Sequence, residues 1–372
     1  MYLIDRIMRK EELYKKMISQ LPVRRNLYKN MDYKEIVEKC FSEYLADLRS
    51  LEEQDKKYIW GSHWDEYFSM IENHINLLNE IIKLQYLGLH SQAYNMFKKL
   101  LVGEKQIINV LHPIYTKIGD SFYRMRTFTE RVDLSYQDMF HIPLDKRGIV
   151  KTQRYSVPGY PCLYLGCSVY ACWEEMRRPP LDTCMVSRFE QRQPSSLKFI
   201  DVTVPEYEYF EDNYQVGLIL QKYPLIIACM IQVLNYNDTY KPEYIITQLL
   251  MEYIIDCRET NKNEDSSLLN FSGVYYTSVH KNDRFKFEGK IFNNVAIPVY
   301  LPLNGTKYCP ILCNKFYLTE PTCEEFERIK ISGRGGLFLR KEQSLYEMSS
   351  FCLVENALKS SANFPLLEMD IE

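Results

Sequence analysis

The apolar pattern of this chain changes near residue 120, and the two patterns cannot belong to one layer of structure. Before that point the period is helical. WDEYFSMIENHINLLNEIIKLQYLGL places Ile71, Ile75, Leu78 and Ile82 three or four residues apart, the single stripe of an amphipathic helix. SQAYNMFKKLL follows the Gly88 break, with Ser91 as its expected N-cap. Pro and Gly are scarce before Gly103 and Pro113, so residues 1–115 are expected to form an all-helical domain.

Beyond residue 120 prolines and short β-rich runs take over: SFYRMRTF, CLYLGCSVY, SLKFIDVTV, SGVYYTSVH and FNNVAIPVYL. Each is rich in Tyr, Val, Phe or Ile and bounded by Gly, Pro or Asn, as strands are. Helices are expected at 168–177 and 243–257, which gives strands with irregularly interspersed helices and hence an α+β domain over 116–320. KEQSLYEMSSFCLVENAL predicts a helix in a C-terminal extension, 321–372. KNEDSS (262–267) reads as a surface loop, and no internal repeat is present. The most apolar run, VGLILQKYPLIIACMIQVL (216–234), is interrupted by Gln221, Lys222, Pro224 and Gln232. It therefore predicts a buried helix or strand pair instead of a membrane span.

Composition removes several function classes. A net charge of -3 gives no broad nucleic-acid footprint. MYLIDRIMRKEELYKK is charged from its first residues and has no apolar segment, so the eleven cysteines are expected as reduced thiols in a bacterial cytoplasm. Cys309, Cys313 and Cys323 lack a second closely spaced pair, so buried thiols are the expectation there and not a metal site. No cysteine stands in a recognisable nucleophile context. SGRGGLFL (332–339) lacks the Lys-Ser/Thr of a phosphate-binding loop and reads as a turn.

One stretch carries charge where a core does not need it. QRYSVPGYPCLYLGCSVYACWEEM (153–176) reads as a turn, a buried strand and a helix start capped by Ser168, with Arg154 at one end and Glu174 and Glu175 at the other. If strand and helix pack together, those charges meet at one edge. Arg154 beside a Pro-Gly turn suits the grip of a phosphate or carboxylate, and Tyr164 offers a flat ring with a polar tip. Taken singly, each also reads as a surface charge, a core aromatic or an exposed helix face.

The combination resembles the core signature of the RES (Arg-Glu-Ser) family. That signature runs Arg, an aromatic, a small polar residue and Pro-Gly-x-Pro, with a Tyr ten positions after the Arg and a Glu eleven beyond the Tyr. Here it falls on Arg154, Pro158-Gly159, Pro161, Tyr164 and Glu175, and the spacing selects Glu175 over Glu174. SGVYYTSV resembles the segment that supplies the serine, as Ser278. FNNVAIP resembles the closing strand, with Asn294 at its polar position, and FYRMR the opening strand, with Arg124 as a second ligand-facing arginine. The likeness covers roughly 120–305. It departs at His280, where compact members often carry Arg, and in the long segment between Glu175 and Ser278.

The resemblance implies a fold of the ADP-ribosyltransferase (diphtheria-toxin) type that splits NAD+ by hydrolysis or phosphorolysis, with NAD+ as substrate and no cofactor or metal. It implies Glu175 at the ribose, Arg154 at the pyrophosphate, Tyr164 against nicotinamide and Ser278 hydrogen-bonded to nicotinamide or its ribose. Compact members are toxins silenced by a helix-turn-helix antitoxin, so an antitoxin or regulatory protein is an implied partner. Two other classes stay open: a transferase that attaches ADP-ribose to a macromolecule, and a non-catalytic nucleotide- or partner-binding relative. The helical domain weakly resembles the HEPN-type domains found ahead of RES domains. HEPN nucleases carry an Arg, then four to six residues, then a His, and none of His63, His74, His90 or His112 has an Arg at that distance upstream. A regulatory or dimerising scaffold is therefore expected for 1–115.

Overall fold

The computed structural model describes residues 2–28, 30–103, 107–111, 113–128, 134–192, 196–260, 270–280, 289–301, 306–323, 346–347 and 349–365. The loop expected at 262–267, the glycine cluster at 332–339, residues 341–345 of the expected C-terminal helix and His112 lie outside them.

The chain opens with helices α1 (Tyr2–Ser19), α2 (Tyr33–Arg49), α3 (Glu53–Trp60), α4 (Trp64–Tyr86) and α5 (His90–Val102). Then come β1 (Ile114–Tyr115), β2 (Ser121–Thr127), β3 (Cys162–Gly166), α6 (Val169–Glu175), β4 (Cys184–Gln191) and β5 (Lys198–Val202). Helices α7 (Asn213–Cys229) and α8 (Ile245–Thr260) lead to β6 (Gly273–Thr277), β7 (Asn293–Pro298), α9 (Pro310–Cys313) and β8 (Phe316–Leu318). Helix α10 (Ser350–Ser360) and β9 (Phe364–Pro365) complete the described elements. The architecture is mixed α+β with a helical N-terminal region. Two compact units emerge: residues 1–113 with 200–253, and 114–199 with 254–372.

In the first unit, the stripe Ile71, Ile75, Leu78 and Ile82 is buried on α4, as its period predicts. Gly88 takes a positive φ of 75° between α4 and α5. Ser91 does not cap α5. The helix starts two residues earlier than that cap would set it, with Leu89 flanking it and no side-chain cap, because the tight turn already ties Leu89 N–H to the Leu84 carbonyl. The apolar run at 216–234 supplies α7, buried from Val216 to Cys229. Its Pro224 has no N–H for the Leu220 carbonyl one turn back. The Tyr44 hydroxyl donates to that carbonyl instead, at 2.7 Å. Among the described residues no helix is long and apolar enough to cross a membrane.

The second unit is built on a nine-stranded sheet of order β1-β5-β6-β7-β3-β2-β4-β8-β9. Pairings β3–β7, β6–β7, β2–β3 and β2–β4 are antiparallel. Side chains alternate between faces. Phe122, Leu163, Leu165, Phe189, Val295 and Ile297 share one core, which also takes up Cys309 and Cys313 as buried thiols. Tyr123, Met125 and Val186 share another with α6 and α10.

His141 sits in the first of these cores as a neutral base. Its Nδ1 donates to the Ile142 carbonyl and its Nε2 accepts the Cys309 N–H, each at 2.9 Å. Protonation would remove that acceptor. Burial, with Arg124 nearby, holds the imidazole down to about 4. An unfolded histidine binds its proton near pH 6.5. Stability is therefore complete above that pH and falls as pH drops toward 4, by about 3 kcal/mol from this group. Urea unfolding between pH 7 and 4.5 should show a steeper loss in the wild type than in His141→Gln. Parallel curves would contradict this assignment.

Candidate functional site

The sheet face covered by α6 is fixed by register. Tyr123 pairs with Gly166, Gly166 with Asn294, Tyr276 with Asn294, and Tyr164 with Ala296. Residues opposite one another across paired strands share a face, so Tyr164, Tyr276 and Asn294 point to the side that α6 covers. Gly166 makes the close approach possible. A Cβ there would stand 2.7 Å from the Cys172 Sγ, 2.9 Å from the Ser168 carbonyl oxygen and 3.2 Å from Asn294 Oδ1.

Ser168 caps α6 as its sequence position predicts. Its Oγ accepts the Ala171 N–H at 2.9 Å and donates to the Ile291 carbonyl at 2.6 Å. The cap fixes the rotation of a short helix and so sorts its two glutamates. Glu174 turns inward. It is 3% exposed, takes Arg178 in a two-bond fork at 2.9 and 3.0 Å, and accepts the Tyr170 hydroxyl. Glu175 turns to the sheet, where Asn294 Nδ2 donates to its Oε1 at 3.0 Å. The next turn breaks the helix sharply, with φ of 62° at Arg177 and 58° at Arg178. Two consecutive left-handed non-glycine residues are uncommon and hold the chain away from further helix.

Arg154 stands on a tight turn. Gln153 and Ser156 bridge across it, and Ser156 N–H donates to the Gln153 carbonyl at 3.2 Å. Tyr164 secures this turn from the sheet. Its hydroxyl oxygen accepts the Tyr155 N–H at 3.0 Å and shares a 2.7 Å hydrogen bond with Ser156 Oγ. The Tyr155 ring lies against Tyr276, centroids 4.4 Å apart. The hydroxyl of Tyr164 is thus spent on holding the Arg154 turn, while its ring stays half-buried beside the site.

Ser278 and His280 close the group from the end of β6. Ser278 N–H donates to the Phe292 carbonyl at 2.8 Å, extending the β6–β7 ladder. Its side chain is fully buried, and its Oγ accepts the His280 N–H at 3.1 Å. Burial lowers the pKa of His280; Glu175 opposes that shift, and Arg154 and Arg177 add to it. All three therefore lie within electrostatic reach of one imidazole. Burial likewise raises the Tyr276 hydroxyl, with Glu175 and Tyr164 contributing.

The structure thus brings Arg154, Tyr164, Glu175 and Asn294 together, with Ser278 beneath them. It does not bring Arg124. That residue alternates with Tyr123 and falls on the far face with Phe122. There Arg124 donates to the Phe140 carbonyl at 2.7 Å, and burial pushes its guanidinium pKa down to about 10. Tyr155 and Tyr276 were not singled out by sequence. Tyr276 was within reach, because in SGVYYTSV it stands two residues before Ser278 and so shares its side of a strand. Among the described residues no three His, Cys, Asp or Glu side chains are grouped to hold a metal ion.

The chain is similar to a Bacillus subtilis (strain 168) protein named "Putative toxin YopC", 32% identical over 311 residues. The match takes in 79% of this chain and 66% of that protein, so the chain spans a little under two thirds of the relative's length. No family model and no solved structure matches.

Proposed function

We propose that the second unit cleaves the nicotinamide–ribose bond of NAD+ on an ADP-ribosyltransferase-like fold, and that the chain acts through it as a toxin or defence effector. The observation that carries this reading is the convergence of Arg154, on a braced turn, with Glu175, at a capped helix end, over one sheet face. A planar cation suits the pyrophosphate. A carboxylate suits the positive charge that develops on the ribose as nicotinamide leaves, for which glycoside cleavage is the nearest template. Asn294 orients that carboxylate through its 3.0 Å bond. The Tyr164 ring borders the nicotinamide, and Ser278 acts through the His280 amide that it holds. The similarity to a protein named as a toxin supports the biological half of the reading. The pairing of residue types with geometry supports the chemical half.

The test is to incubate the purified chain with NAD+, with and without phosphate, and to resolve products by mass. Nicotinamide together with ADP-ribose identifies water as acceptor, and ADP-ribose phosphate identifies phosphate. ADP-ribose found only on protein or nucleic acid identifies a transferase. Absence of nicotinamide release under all these conditions, with cell extract included, would remove the reading.

A further inference from the structure

A second, separate site is built at the other end of α6. A cavity of about 300 Å³ lies beside the first residues of β2 and the end of β3, and it shares no lining residue with the Arg154–Glu175 group. Tyr115, Phe122, Tyr275 and Tyr346 give it aromatic walls, and Glu355 of α10 gives it a carboxylate. Glu355 is only 6% exposed. Its Oε1 accepts the Val169 N–H at 2.7 Å and the Tyr346 hydroxyl. Among the described residues its Oε2 has no hydrogen bond and no ion pair.

We propose that this cavity binds an organic cation, a primary ammonium or guanidinium on an apolar or aromatic stem, with Glu355 as its counter-ion. A carboxylate taken out of water without a cation is costly, and a cation delivered to its open oxygen removes that cost. Aromatic walls add the matching chemistry, since ring faces attract positive charge and pack flat stems. Lys290 also lines the cavity, at its exposed rim, and Asp120 adds a second carboxylate to the lining. Burial raises the Glu355 carboxyl, while the Tyr346 hydroxyl, the Val169 N–H and, from the exposed surface, Lys359 one turn along α10 pull it back. Helix α6 runs from the residue that Glu355 holds to Glu175, a span of roughly 9 Å. The binding claim stands apart from the NAD+ reading.

The test is calorimetric titration of the full chain with tyramine, and separately with the peptide Gly-Arg-Gly. One saturable site is expected in the wild type, about tenfold weaker in Glu355→Gln, because a charge-assisted contact is lost. Tyr115→Ala should also weaken binding, and with a side chain 56% exposed it leaves the fold intact. Tyramine binding without peptide binding identifies a free amine; the reverse identifies a partner's arginine side chain. No saturable binding of either probe overturns the proposal, as does equal affinity in wild type and folded Glu355→Gln. If Glu355→Gln does not fold, unchanged affinity in Tyr115→Ala overturns it. Because binding is read without turnover, loss of this proposal and loss of the NAD+ reading are distinguishable.

Discussion

Glu175→Gln is expected to lower NAD+ turnover by about two to three orders of magnitude while leaving the unfolding transition where it was. The magnitude is that of removing one preorganised electrostatic contact from a transition state. The substitution is close to isosteric. The glutamine oxygen still accepts from Asn294 Nδ2, so orientation survives and only the charge is lost. The loss should appear in kcat, with KM changed little, because in the proposed reaction the carboxylate would meet full positive charge on the ribose only as the bond breaks. Glu174→Gln is the informative control. Glu174 is buried and spent on Arg178 and Tyr170, so its replacement should cost stability and spare the chemistry. If Glu175→Gln turns over NAD+ within about threefold of wild type, Glu175 does not stabilise the transition state; a loss in Glu174→Gln that exceeds it would reassign the role.

Sequence disclosed features whose cause is local. The α4 stripe was legible because one helix face is buried over its whole length, and the start of α6 because Ser168 caps in the position its type favours. Spacing selects Glu175 over Glu174 in the sequence, and the capped rotation of a short helix turns Glu174 to Arg178 and Glu175 to Asn294. Features set by long-range pairing were not legible. Alternation in FYRMR places Arg124 and Arg126 on one face, but which face α6 covers depends on the pairing of Tyr123 with Gly166. The start of α5 depends on a turn that satisfies Leu89 through Leu84, so the serine two residues on was not needed. The grouping of 200–253 with the first 113 residues rests on contacts such as Tyr223 to the Met17 carbonyl at 2.6 Å, far apart in sequence and without a local period.

Lys222 shows how a residue that reads as an interruption becomes a requirement. In the sequence it counted only against a membrane span. In the structure its Nζ lies 2.8 Å from Asp201 Oδ2, with side-chain exposures of 9% and 13%. Asp201 Oδ1 is occupied by the Thr203 N–H at 2.9 Å and the Thr203 hydroxyl at 2.6 Å. Lys222→Met keeps the apolar stem and removes the charge, which strands a largely enclosed carboxylate inside the first unit. Breaking such a pair costs about 3–5 kcal/mol, whereas removing both charges is often close to neutral. The single variant should therefore lower the urea midpoint sharply. Lys222→Met combined with Asp201→Asn should recover about 2 kcal/mol or more, since asparagine still accepts from Thr203 and leaves no charge behind. A single variant that loses less than about 1 kcal/mol would mean that water reaches Asp201. A double variant no more stable than the single would mean that α7 needs the lysine for packing alone.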